Sequence, residues 1–258
     1  MCGIVGILDV SGKRAIPREL VARMNDSQFH RGPDEHGFHF EPGLGLGHRR
    51  LSIIDLSTGQ QPLYNEDGSV VVVYNGEIYN YRELITELMA AGHVFRTKSD
   101  TEVIVHAWEQ WGEECLDRFR GMFAFALWDR NRETLFLARD RLGVKPLHYA
   151  LLPGGLLLFG SELKSLLVHP EFKRDFDPLA IEEYLALGYI PEPRTIYAAA
   201  AKLPPAHCLA IRRGHPVAEP HAYWDVRFSL DNPISERDAQ IEIQADQTAT
   251  HDVQYNPR

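Results

Sequence analysis

Ser69-Val70-Val71-Val72-Val73-Tyr74-Asn75-Gly76-Glu77 sets a strand-length run of β-branched residues directly against an Asn-Gly pair. Such a run favours pleated, half-buried backbone, so residues 69–74 predict a strand ending at Tyr74. The same character recurs over residues 2–10 and 122–128 (MFAFALW). Between Trp128 and Leu135 the polar Asp129-Arg130-Asn131-Arg132-Glu133 reads as a turn, which makes 123–137 a hairpin and favours antiparallel pairing. Helical periodicity fits Arg18–Asp26, 81–91 and 100–119, the last carrying Val103, Ile104, Ala107, Trp108 and Trp111 on one face. Ser99 and Glu102 have capping-box spacing at its start.

The chain has 258 residues, 44% hydrophobic and 24% charged, which is the balance of a folded globular protein with room for a large core. With 27 basic and 36 acidic side chains the net charge is −9, so neither nucleic acid nor an anionic membrane surface is an expected partner. No apolar run approaches the roughly 18 residues of a membrane span. The start, Met1-Cys2-Gly3-Ile4-Val5-Gly6, lacks a signal peptide's basic and long apolar regions, and a cytoplasmic location is expected. Three cysteines, Cys2, Cys115 and Cys208, are too scattered for a disulfide framework. The last two sit in apolar segments and read as core. The twelve histidines show no HExxH spacing, and Gly43-Leu44-Gly45-Leu46-Gly47 precedes no helix, so no metal, nucleotide or other cofactor is expected in this chain.

Cys2 is the candidate for chemistry, with a small buried apolar residue as its other reading. Removal of Met1 would put a thiol and a free α-amine on one residue, and an amine with a reference pKa of about 7.7–8.0 can take the thiol's proton. Attack of such a thiolate on a carbonyl would also need donors aimed at a tetrahedral oxyanion. The Asn75 amide and the Gly76 N–H suit that task, but Asn-Gly is equally a strong hairpin-turn signal. Asp100, in the first turn of an expected helix, has a helix-dipole reason for being there as well. Arg50 offers a planar two-donor fit to a carboxylate. Strand alternation points Arg49 the other way, toward solvent.

Read together, CGIVG, HRGPD (30–34), RRLSIIDLSTGQQPL (49–63), NGEIYNY (75–81), KSDTEV (98–103), GMFAFALWD (121–129), ARDRLGVKPLHY (138–149) and GSELKSLL (160–167) resemble the class II glutamine amidotransferases. In particular they resemble the glutaminase half of the glutamine-hydrolysing asparagine synthetases, with looser likeness in YIPEPRTIY, KLPPAH and YW, over about the first 225 residues. The resemblance implies an α+β fold, the four-layer αββα N-terminal-nucleophile hydrolase sandwich of two antiparallel sheets. It implies catalysis by Cys2 with Asn75 and Gly76 as the oxyanion hole. Glutamine would be bound by Arg50, by backbone groups of Leu51, Ser52, Ile53 and Ile54, and by Asn75, Gly76, Glu77 and Asp100. Arg50 would take the α-carboxylate, and Glu77 and Asp100 the α-ammonium. His30 and Arg31 would brace the loop that lines the pocket. L-glutamine is the expected substrate, and a synthetase domain or subunit accepting ammonia the expected partner, with a homodimer as a candidate assembly.

The chain departs from that family after residue 225. Full-length asparagine synthetases continue into a domain with an SGGxDSS loop that grips ATP, and ATP and Mg²⁺ would belong there. Gly154-Gly155 is followed instead by apolar residues. Residues 2–225 are therefore expected to form the amidotransferase domain and 226–258 a linker-like tail, with 235–243 resembling the start of a helix leading onward. A fragment, a truncated product and a stand-alone glutaminase subunit all fit. The rival class is a non-catalytic glutamine-binding regulatory subunit; a third reading is an amidotransferase serving another acceptor.

Overall fold

The computed structural model describes residues 1–52 and 59–226, and Met1–Trp224 form one compact unit. Among the described residues twelve strands make two six-stranded sheets. The first contains β1 (Gly3–Asp9), β2 (Glu35–Glu41), β3 (Leu44–Arg50), β8 (His148–Leu152), β9 (Leu156–Gly160) and β10 (Ala201–Lys202), in the order β10-β8-β9-β1-β3-β2. The second contains β4 (Leu63–Tyr64), β5 (Val70–Ile78), β6 (Gly121–Asp129), β7 (Thr134–Arg139), β11 (His207–Arg212) and β12 (His221–Ala222), in the order β12-β11-β7-β6-β5-β4. Every pairing is antiparallel.

Strand alternation builds the layers. Ile4 and Leu8 of β1, Leu44 and Leu46 of β3, Val71 and Val73 of β5, and Ala124, Ala126 and Trp128 of β6 pack into one core between the sheets. The intervening Val5 and Ile7 face a second core with Val21 and Met24 of α1 (Arg18–Asp26) and Leu166 of α5 (Leu163–Leu166). On the far side Val70, Val72 and Tyr74 meet Leu84 and Leu88 of α2 (Tyr81–Ala90) and Val103, Ile104, Ala107 and Trp108 of α3 (Asp100–Trp111). The result is helices, sheet, sheet, helices: the expected αββα sandwich. Cys115 and Cys208 are both buried in the outer core around α3. His48 of β3 crosses between sheets, its Nε2–H donating to the Tyr74 carbonyl at 3.0 Å, and full burial drives its pKa down to about 3, so it stays neutral.

Four local expectations change. The strand starting near Ser69 runs through Asn75-Gly76 to Ile78, with Asn75 opposite Ala124 and Gly76 opposite Phe123, so the pair is not a turn. The helix expected over 100–119 stops at Trp111, because Gly112 takes φ +60°, and resumes as the short α4 (Cys115–Arg118). Ser99 caps α3 by accepting the Thr101 N–H, but Glu102 does not complete a capping box. Its carboxylate accepts from Arg96 N–H, Thr97 N–H and the Thr97 hydroxyl, holding the preceding loop. A further helix, α6 (Pro178–Leu187), has Asp177 as N-cap and no counterpart in the pattern reading. Residues 227–258, including the expected tail and the 235–243 segment, lie outside the described residues. None of the described helices is long and apolar enough to cross a membrane.

Leu46 is fully buried between the sheets whereas Leu185 on α6 is 79% exposed. Leu46→Ala is expected to cost ~2–5 kcal/mol in urea unfolding with an unchanged m-value, and Leu185→Ala less than about 0.5 kcal/mol.

Candidate active site

One pocket gathers most of the residues singled out above. Cys2, Arg50, Leu51, Asn75, Gly76, Glu77 and Asp100 all line it, together with Met1, Gly59, Gln61, Tyr74, Ser99, Thr101, Met122 and Lys145. Ser52 does not line it; its N–H donates to the Asp34 carboxylate at 2.8 Å. Ile53 and Ile54 lie outside the described residues.

Cys2 enters on the first residue before β1. The Leu51 N–H donates to its Sγ at 3.4 Å, and its carbonyl accepts Arg31 Nε–H at 2.9 Å. Arg31 Nη1 and His30 Nε2 both meet Glu162 Oε1, at 3.1 and 2.9 Å. The His30-Arg31 pair thus braces the Cys2 peptide from Glu162. In the unprocessed chain the Cys2 nitrogen belongs to a peptide bond, so the amine beside the thiol is that of Met1. Burial raises the Cys2 thiol pKa, against the Leu51 N–H and the positive charges of the terminus, Arg50 and Arg31. Burial also lowers the terminal amine, with Arg31 and Lys145 adding to the effect.

Arg50 ends β3 with its guanidinium buried, and Nη1 donates to Glu35 Oε2 at 2.7 Å. Arg49 turns to the opposite side, as alternation requires, but it is not solvated: it is 9% exposed, ion-paired with Asp26 and stacked over Phe29.

On the facing sheet, hydrogen-bond parity decides what Asn75 and Gly76 offer. The Phe123 N–H donates to Asp140 Oδ2 and its carbonyl accepts from Asp140 N–H. Phe123 therefore spends its backbone away from β5, and its partner Gly76 sits in a non-hydrogen-bonded pair whose N–H points away from β6. The flanking groups of the same parity confirm the direction: Tyr74 N–H reaches Gln61 Oε1 at 2.7 Å and Ile78 N–H reaches Asp100 Oδ2 at 3.0 Å. Gly76 has no positive φ among the left-handed glycines, so close approach explains it, not an unusual torsion: a Cβ there would lie 2.4 Å from the Met122 carbonyl oxygen. Asn75 is 1% exposed, and its Nδ2 has no hydrogen-bond partner among the described residues. A buried amide left undonated carries a cost of about 1–3 kcal/mol, which an incoming acceptor would relieve.

Asp100 Oδ2 also accepts the Tyr74 hydroxyl at 2.7 Å. Burial raises the Asp100 pKa, while burial and the adjacent carboxylate keep the Tyr74 phenol protonated. Pattern reading gave no role to Gln61, Tyr74 or Lys145. Asp140 fixes the last: its carboxylate accepts from the N–H groups of Leu142, Val144 and Lys145, and Arg139 clamps the Lys145 carbonyl at 2.7 Å. The ARDRLGVK segment was the available signal.

The glutamine amidotransferase domain model matches residues 1–224, and the chain belongs to that family. It is 41% identical over 217 residues to a glutamine-hydrolysing asparagine synthetase (number 3) of Bacillus subtilis, covering 83% of this chain and 35% of that protein. A putative glutamine-hydrolysing asparagine synthetase of Mycobacterium bovis is 37% identical over 274 residues, covering 97% of this chain and 42% of that one. The chain thus spans between about a quarter and a half of the curated relatives it matches. Among solved structures, a glutamine phosphoribosylpyrophosphate amidotransferase from B. subtilis superposes with TM-score 0.60 at 18% identity, over 86% of this chain and 49% of that one, which supports the sandwich fold.

With its thiol pKa raised, Cys2 of protein retaining Met1 is expected to alkylate slowly with iodoacetamide at neutral pH, the rate rising about tenfold per pH unit until the thiol titrates. Mass-spectrometric time courses check this, and fast alkylation at neutral pH would contradict the burial effect.

Proposed function

We propose that this chain hydrolyses L-glutamine to L-glutamate and ammonia, with Cys2 as nucleophile after Met1 is removed. The thiolate attacks the side-chain amide carbon, and the Cys2 α-amine takes the thiol proton. The tetrahedral oxyanion is held by Asn75 Nδ2 and the Gly76 N–H. Collapse breaks the C–N bond, the amine returns its proton to the leaving nitrogen, and ammonia departs. Water then resolves the γ-glutamyl thioester to glutamate and free thiol. Arg50, oriented by Glu35, holds the substrate α-carboxylate, and Glu77 and Asp100 hold its α-ammonium. The observation that carries the reading is the buried, undonated Asn75 amide beside a Gly76 N–H turned out of the sheet ladder. A pure glutamine sensor would have no use for that pair next to a thiol.

The ammonia is best matched to an asparagine-synthetase-type acceptor, a synthetase domain or separate subunit that binds ATP and Mg²⁺ itself. An apolar row on α6 supports such a partner: Leu179, Tyr184, Leu185 and Leu187 are each more than half exposed. Surface of this kind marks interaction sites.

Three measurements test the assignment on protein whose mature N-terminus has been determined. Cys2→Ala should abolish glutamate release. Asn75→Ala should lower kcat by roughly 10²–10³-fold with a smaller effect on KM, as loss of one oxyanion donor does. Because its carboxyl is raised by burial, Asp100 becomes a full partner for ammonium only as pH rises through that pKa, so KM for glutamine should fall with rising pH. Asp100→Asn should raise KM and flatten that limb. Full turnover by Cys2→Ala would sink the mechanism.

A further inference from the structure

Far from Cys2 in sequence, two histidines and a set of carboxylates converge beside α3. His106 is fully buried and faces Glu109 Oε2 through Nδ1 at 3.3 Å and Glu66 Oε2 at 3.7 Å. His93, from the segment after α2, turns its own Nδ1 toward the same Glu109 oxygen at 3.9 Å. One donor atom each from Glu66, His93 and His106 falls within a 4.8 Å sphere of mutual distances. Four ligands each about 2.0–2.1 Å from a zinc ion stand about 3.3 Å apart at tetrahedral geometry, so these spacings need to close by only tenths of an ångström to about 1.5 Å. The second nitrogen of the His93 ring is also committed: His93 Nε2 meets Gln110 Oε1 at 3.1 Å. That is the outer support metal-binding histidines use to fix tautomer and aim. The carboxylates are held as well: Glu66 Oε1 accepts Val94 N–H at 3.2 Å and Glu109 Oε1 accepts Asn65 Nδ2 at 2.7 Å.

We infer that Glu66, His93 and His106 form a binding site for a divalent transition cation, of which zinc is the type, with Glu109 beside it. Two imidazoles and a carboxylate are a donor set of zinc rather than of calcium or magnesium, which take oxygen alone. Three carboxylates, Glu66, Glu102 and Glu109, stand around His106 and place a surplus of negative charge there for a cation to meet. The ligands come from three separate segments, so the effect of the cation is mechanical. It ties the β4–β5 turn and the 92–98 segment to α3, whose first residue is Asp100.

The test uses the full chain, stripped with EDTA and dialysed. Zinc chloride titrated by calorimetry should saturate a site that Glu66→Gln and His93→Ala each weaken about tenfold or more, without change in the far-UV circular dichroism of the stripped proteins. Co²⁺ should bind the same site and give ligand-field bands of a nitrogen and oxygen centre. A thiolate-to-metal charge-transfer band would instead assign the cation to Cys2 or to Cys208, whose Sγ lies 3.2 Å from His221 Nε2. That band, the absence of saturable binding, or binding indifferent to both substitutions would overturn the proposal and leave an ion-pair cluster only.

Discussion

The contact on which the site depends is the approach of β5 to β6 at Gly76. Two strands lie so close there that even a methyl group would meet the Met122 carbonyl oxygen at 2.4 Å. This closeness keeps the ladder regular through Asn75-Gly76 and so preserves its alternating parity. Parity turns the N–H groups of residues 74, 76 and 78 to one side. Two of the three are consumed by Gln61 and Asp100, which leaves the middle one directed at the pocket. The donor is thus a by-product of sheet geometry, held by pairings on both sides. Electrostatic stabilisation of this kind is effective because nothing has to reorganise when charge develops.

The opposite wall is organised by Arg31 and Arg50, each tied to a carboxylate on a different element. Arg31 connects the Cys2 carbonyl to Glu162, which precedes α5, and Arg50 is steered by Glu35 at the start of β2. Glu162 receives His30, Lys164 and Arg31 together, and against the penalty of burial these partners hold its pKa down to about 2. It remains an anion across the working range of any such enzyme. The thiol's backbone is therefore anchored by a charge that does not titrate, while the thiol itself sits among groups that do.

Individual strands were legible in the sequence as apolar runs, whereas the sandwich itself followed from the resemblance of the motif blocks. Residues 2–10, 122–128 and the hairpin at 129–133 announce themselves because the strands are apolar runs of strand length, buried on both faces, and the turn is polar. The pairing partner of a strand has no such local signature, which is why Asn75-Gly76 could be read as a turn: only the presence of β6 opposite it extends the strand to Ile78. Gly112 and Glu102 failed for a related reason. A glycine within an apolar periodicity hides a helix end, and a carboxylate at capping-box spacing can be claimed by the loop before it. For the site, the motif blocks supplied Cys2, Arg50, Asn75, Gly76, Glu77 and Asp100, all of which line one pocket. Gln61, Tyr74 and Lys145 carry ordinary identities and acquire meaning only from the Asp140-centred turn and the β5 parity that bring them there.

Head recognition and the fate of ammonia are separable on this architecture. On the proposed reading, a guanidinium on one wall and two carboxylates on the other would select a free α-amino acid whatever accepts the nitrogen, since both signs of charge must be answered in a half-buried pocket. Nothing in that recognition distinguishes an aspartate-activating partner from another. The distinction has to reside where ammonia leaves and a second protein surface begins, and the apolar row on α6 is a surface of the appropriate character. Selection of the acceptor would then be exerted through docking, while the chemistry at Cys2 stays the same.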